Sequence, residues 1–134
     1  MPPRHGFPKS ERLKSRKQID GLFAGGKSYN AFPVRMAYRL FATPEGAQPA
    51  LLVGVSAPKR HFKKAVHRNR IKRLLREAYR LQKPQLLALL EGANISGHVF
   101  FLYTDKVLPD YATIEASVGK CLQQIQRKAH EITA

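Results

Sequence analysis

Apolar residues fall along this chain in two rhythms that alternate several times. From Ser15 to Phe23 the spacing is helical, with Ile19, Leu22 and Phe23 at i, i+3 and i+4 behind a serine suited to an N-cap, and Gly25-Gly26 closing the run. From Phe32 to Phe41 the period drops to two: Val34, Met36, Tyr38 and Leu40 share one face and Arg35, Ala37 and Arg39 the other, which predicts a strand. Turn-forming residues from Thr43 to Pro49 separate it from the short β-branched run Leu51 to Val55, so these two strands are expected to close as a hairpin. Lys59 to Lys64 is a basic connector. Helical spacing returns at Ala65, with Ile71, Leu74, Leu75 and Ala78 on one face, and Pro84 is expected to stop the helix.

Pro84 to Glu91 is apolar and fits either kind of element. The unbroken Val99-Phe100-Phe101-Leu102 within His98 to Tyr103 predicts a strand covered on both faces. A last helix, capped by Asp110 or Thr113, follows with Ile114, Val118, Cys121, Leu122, Ile125 and Ala129 as its apolar stripe. The expected order is αββαβα, with room for one further short strand, in an α+β fold built as a two-layer sandwich. With 134 residues and no internal repeat, one domain is expected over residues 12–134, behind a flexible basic arm at residues 1–11.

Charge changes this picture more than composition does. There are 24 Lys and Arg against 9 Asp and Glu, a net +15 that repels itself unless a polyanion neutralises it. Between Ser56 and Lys83 stand eleven basic residues and one acid, Glu77, so most of the excess lies in one segment. On a helix, Asn69, Lys72, Arg73, Arg76 and Arg80 fall within about 100° of one another, opposite the apolar face. Lys72/Arg76 and Arg76/Arg80 are like-charge pairs at i, i+4, each costing about 0.2–0.5 kcal/mol until an anion sits between them. Arginine predominates, and its planar fork grips phosphate in two places and stacks on bases. Both features point to nucleic acid.

Other chemistries find little support. Cys121 stands alone and reads as a small buried hydrophobe, and the five histidines show no metal-ligand spacing. The nine acids are scattered, with Glu77 placed as an ion partner inside the basic helix, so no catalytic residue is expected in the chain itself. Nucleotide-dependent chemistry is not expected. No window approaches the roughly 18 to 20 apolar residues of a membrane span and the N-terminus lacks a secretory signal core, so a cytoplasmic protein is expected.

The sixteen residues Ala65-Val66-His67-Arg68-Asn69-Arg70-Ile71-Lys72-Arg73-Leu74-Leu75-Arg76-Glu77-Ala78-Tyr79-Arg80 resemble the Arg-Asn-Arg helix of the bacterial ribonuclease P protein family, with Val53-Gly54-Val55-Ser56 and Pro58-Lys59-Arg60 before it as in that family. Arg12-Leu13 through Phe23 is similar to the family's first helix, and Gly26-Lys27-Ser28 to the turn after it. The resemblance implies a left-handed βαβ crossover holding the basic helix, a topology shared with a ribosomal small-subunit protein and a domain of elongation factor G. Pattern alone would choose the right-handed form that about 98% of such connections take.

The resemblance further implies an accessory subunit of an endoribonuclease. It would bind a catalytic RNA and the 5′ leader of precursor tRNA, with neither membrane nor DNA as partner, so that Mg²⁺ held mainly by the RNA releases mature tRNA 5′ ends. Carried onto this chain, Arg68, Asn69, Lys72 and Arg76 would contact leader or catalytic RNA, with Arg70, Arg73, Arg80, Lys59 and Arg60 adding backbone contacts. A leader cleft would use Phe23 and Tyr38, with Ser28 and Met36 beside them and Ile19 where the family often has Phe. Phe23 and Tyr38 read equally well as core. A non-catalytic ribosome-associated or structural RNA-binding protein is the alternative.

Overall fold

A computed structural model describes residues 11–133. The Ser15 hydroxyl accepts from the Gln18 N–H at 3.3 Å and opens helix α1 (Arg16–Gly25). The chain then forms β1 (Lys27–Ala31), β2 (Val34–Ala42), β3 (Leu51–Ser56), α2 (Ala65–Gly92), β4 (Ile95–Tyr103) and α3 (Tyr111–Thr133). The Asp110 carboxylate accepts from the Thr113 N–H at 2.9 Å, so of the two expected caps Asp110 opens α3. The order is αβββαβα: the further short strand is β1, whose KSYNA sequence is too polar to announce itself.

The expected hairpin between Val34–Ala42 and Leu51–Ser56 does not form. Sheet order is β1-β2-β4-β3, with β2 antiparallel to β1 and β4, and β3 parallel to β4. The hairpin partner of β2 is β1, across Phe32-Pro33. The physical reason lies in β4, the strand with apolar residues on both faces and hence the one that gains most from a central position. The long turn from β2 to β3 passes the start of β4, where the Ser96 hydroxyl lies 2.8 Å from Thr43 Oγ1 and accepts from the Ala50 N–H at 3.1 Å. Asn94, in the left-handed region at φ 56°, turns the chain from α2 into β4.

Pro84 does not stop α2 either; the helix runs 28 residues with Pro84 inside it. An interior proline costs about 3 kcal/mol through its missing N–H and its clash with the preceding turn. Beyond it, Leu86, Leu87 and Leu90 are buried, each contributing about 1.5–3 kcal/mol. Burial wins, and the ambiguous stretch becomes helix.

The helices occupy both faces of the sheet, so a partial third layer joins the expected two. α2 and α3 cover the main core, in which Val34, Met36, Val53, Val99 and Phe101 meet Ile71, Leu75 and the α3 stripe. On the other face Leu13, Leu22 and Ala37 form a second cluster with Ile19, Leu52 and Phe100 packed against it. Gly54 lies beneath this cluster; a Cβ there would stand 2.8 Å from the Phe100 ring.

The segment before α1 is sewn to β3. Arg12 forms a parallel bridge with Val53, and the Leu13 N–H donates to the Val53 carbonyl at 2.9 Å. Glu11, expected to end the flexible arm, instead accepts from Lys83 Nζ at 2.9 and 3.1 Å. Lys83 is fully buried and therefore not part of the charged surface. The rest of that expected arm, residues 1–10, lies outside the described residues.

Glu11→Ala should leave the Lys83 charge buried without its carboxylate and lower stability by about 3–5 kcal/mol, or roughly 10–20 °C in melting temperature. Replacing both partners by Leu and Met should recover most of that loss. Wild-type melting of the Glu11→Ala variant would show that the pair holds nothing. Cys121 is buried and its thiol is pushed up to about 12 by that burial. A thiol reagent at pH 8 should therefore label the folded protein only at its rate of opening, and the unfolded chain at once.

Candidate RNA interface

The apolar face of α2 is spent on the core, so its other face is set by what remains at i, i+3 and i+4. There a trough of about 520 Å³ is lined by Arg12, Asn69, Lys72, Arg73, Arg76, Glu77 and Arg80. Five of the residues named from the sequence, Asn69, Lys72, Arg73, Arg76 and Arg80, thus meet in one concave surface. Arg80 grips Glu77 through both guanidinium edges, Nε to Oε2 at 3.1 Å and Nη2 to Oε1. That contact holds Glu77 below the usual carboxylate range and raises Arg80, so the one acid is matched to one arginine. Arg76 is pulled below its ordinary value, first by burial and then by the nearby Arg12 charge. The trough keeps an excess of positive charge in a confined, partly desolvated space.

Four other basic residues expected at the interface are not in this trough. Arg68 turns to the connector before α2, its Nη1 donating to the carbonyls of Phe62 at 2.8 Å and Lys63 at 2.9 Å. It holds the helix entry in place. Arg70, Lys59 and Arg60 are exposed outside the trough. Arg12 was not expected here; its chain position 57 residues before Asn69 carries no signal of proximity.

A second groove, of about 190 Å³, lies where α1 meets the open face of the sheet. Leu22, Phe23, Gly26, Lys27, Ser28, Arg35, Ala37 and Leu102 line it. Phe23 is 53% exposed and rests edge-on against Phe100, with ring centroids 5.3 Å apart. Of the residues expected in a leader cleft, Phe23 and Ser28 are in the groove, while Ile19 is half-buried in the small cluster beside it. Met36 and Tyr38 are not: they are 0% and 3% exposed and face α2 and α3. The two-residue period of β2 decides this, since the face toward α1 carries Arg35 and Ala37. Those two positions were readable from the alternation itself. Small Ala37 leaves the groove floor open.

Gly21-Leu22-Phe23-Ala24-Gly25-Gly26-Lys27-Ser28 has the spacing of a nucleotide-binding phosphate loop, which runs strand, loop, helix. Here the order is reversed: Gly21 to Gly25 lie inside α1, and the Gly26 N–H donates to the Leu22 carbonyl at 2.8 Å. The amides such a loop would offer a phosphate are consumed. Among the described residues no three His, Cys, Asp or Glu side chains gather where they could hold a metal ion. No helix of the described residues is long and apolar enough to cross a membrane.

The sequence model of the family described as Ribonuclease P matches residues 7–126. The chain belongs to the ribonuclease P protein family. The ribonuclease P protein component of Porphyromonas gingivalis strain W83 is 41% identical over 124 residues, which span 92% of this chain and 89% of that one. That of Chlorobium phaeobacteroides is 29% identical over 126 residues, spanning 88% and 86%. The fold agrees with the solved structure of Staphylococcus aureus RNase P protein, TM-score 0.64 at 18% identity over 87% of this chain and 95% of that one. It agrees equally with the RNase P protein from Thermotoga maritima, 0.63 at 22% over 85% and 96%. Ribonuclease P is an endoribonuclease ribonucleoprotein of tRNA 5′ maturation, and this chain is its protein component, associated with the ribonuclease P RNA.

Because Arg68 bonds two backbone carbonyls and Arg73 is exposed, the two arginines should separate in a melting experiment. Arg68→Ala should cost about 1.5–3 kcal/mol, the value of hydrogen bonds to a charged group, and Arg73→Ala within about 0.5 kcal/mol. Identical melting curves would show that the Arg68 contacts do not hold the helix entry.

Proposed function

We propose that the α2 trough binds the sugar–phosphate backbone of the catalytic RNA, and that the Phe23 groove takes unstacked bases of the 5′ leader of precursor tRNA. The trough carries this reading: Arg12, Lys72, Arg73, Arg76 and Arg80 surround one space with Glu77 as the sole acid lining it. Arginine forks in a confined site suit phosphate oxygens in pairs. In the groove, Phe23 offers a ring face to a base, worth about 1–3 kcal/mol, while Lys27 and Arg35 stand on its wall for flanking phosphates. Arg70, Lys59 and Arg60 extend the cationic surface beyond the trough.

In this reading residues 12–134 form a single RNA-binding domain of a cytoplasmic ribonucleoprotein, and α2 lies in a left-handed crossover between β3 and β4, as the family likeness supports. Mg²⁺ belongs to the RNA, where it supplies the chemistry at the phosphodiester. The chain's residues bind and align substrate and neutralise its charge, without membrane or DNA as partner.

Reconstitution with the cognate catalytic RNA and precursor tRNA tests this. The protein should stimulate leader removal at physiological magnesium, and absence of stimulation overturns the reading. Arg76→Ala should weaken RNA binding and lower the slope of log K against log salt by about 0.9. Phe23→Ala should reduce affinity for precursor tRNA carrying a leader while leaving affinity for mature tRNA unchanged. Co-purification with ribosomal RNA in place of the catalytic RNA would favour a ribosome-associated role.

A further inference from the structure

A trough made by one helix alone would have one wall. Here the second wall is Arg12, in the segment 11–13 ahead of α1, and that segment is held by an ion pair, by a backbone bridge and by a buried side chain. Glu11 is drawn in by buried Lys83, Arg12 is bridged to Val53, and Leu13 donates to the Val53 carbonyl while its side chain is buried beneath α1. Lys83 itself belongs to α2, so the ion pair ties the two walls directly together. Fixing a chain in this way is not needed to cover the core at Arg12, whose neighbours in the trough are four cations, an asparagine and Glu77, the last already gripped by Arg80. Arg12 brings a further positive charge close enough to act on Arg76, and the buried Glu11–Lys83 pair fixes the segment that carries it.

Resting on the reading of the trough as an RNA site, we propose that Arg12 is an RNA-gripping residue. Together with Arg76 it closes on the same backbone phosphates from the side opposite α2, and the Glu11–Lys83 pair seats it there. The surface would then be a two-walled clamp for phosphodiester backbone. A two-walled site holds direction as well as charge: a strand lying between Arg12 and Arg76 is fixed against rotation about the helix axis, which a single row of cations does not achieve.

The experiment is a titration of the cognate catalytic RNA with the full-length protein and its variants across a salt series, with melting measured in parallel. Arg12→Ala should weaken binding by about tenfold, the equivalent of one charge-assisted hydrogen bond, and lower the salt slope by about 0.9. Arg12→Lys should restore the slope but only part of the affinity, because a point charge replaces the fork. Lys17→Ala, which removes an exposed charge on α1 outside the trough, should change affinity by less than about twofold. The double variant Arg12→Ala/Arg76→Ala should lose less than the product of the single losses, since both grip the same phosphates. Wild-type binding by Arg12→Ala while Arg76→Ala weakens overturns the clamp and leaves the α2 reading standing. Wild-type binding by both overturns the two together.

Glu11→Gln separates seating from charge counting. It makes the protein more positive, so a simple charge effect tightens binding, whereas an unseated Arg12 weakens it. Tighter binding overturns the seating. Glu11→Asp, which keeps the charge but shortens the reach, gives the same comparison should the Gln variant fail to fold: weaker binding supports the seating and unchanged binding overturns it.

Discussion

Helix α2 has to meet two demands that pull against each other, and the rest of the molecule is arranged to let it do so. Its inner face must be apolar enough to hold it to the sheet, and its outer face must keep Lys72, Arg73, Arg76 and Arg80 together with one acid, Glu77, among them. Each like-charge neighbour pair opposes the helix by about 0.2–0.5 kcal/mol. Burial of Ile71, Leu75 and Tyr79 outweighs that several times over at about 1.5–3 kcal/mol each. The surplus lets a cationic face exist in the absence of its ligand. It also accounts for the length of the helix: the turns after Pro84 add Leu86, Leu87 and Leu90 to the anchor.

The sheet supports this division by having two unlike faces. One is closed by α2 and α3 around the main core, while the other is only partly covered by α1, which leaves a groove beside Phe23. Two surfaces with different chemistry result. The α2 trough is cationic and suited to backbone phosphates. The α1 groove is smaller, has an aromatic wall and an alanine floor, and is suited to bases. In the proposed function the first surface takes structured RNA and the second takes single-stranded leader. Glu77 stands out among so many cations because its bidentate contact with Arg80 fixes that arginine's orientation and removes one repulsion from the row.

Much of this was legible in the chain before any coordinates. The periodicities found α1, β2, β3, the start of α2, β4 and α3, and the α3 stripe is buried as read. The basic helix was found both by charge and by its likeness to the Arg-Asn-Arg segment. Where local patterns misled, a nonlocal term outweighed them. Pro84 signals an end only while the leucines beyond it have nothing to pack on. A turn-rich linker signals a hairpin only while no third strand with two apolar faces needs the place between. Met36 and Tyr38, expected in a leader cleft from the family likeness, lie on the β2 face toward the main core, while Arg35 and Ala37 line the groove beside α1.

The sequence by itself determined the class of the partner and the two-sided character of α2, because net charge and helical phase are properties of the order of residues alone. Only the tertiary structure decided which charges act together. Lys83 left the surface for a buried ion pair, Arg68 turned to its own backbone, and Arg12 joined α2 from far along the chain. The reason is physical: a charge's role depends on burial and on what lies within a few ångströms, and both are fixed by contacts between segments distant in sequence.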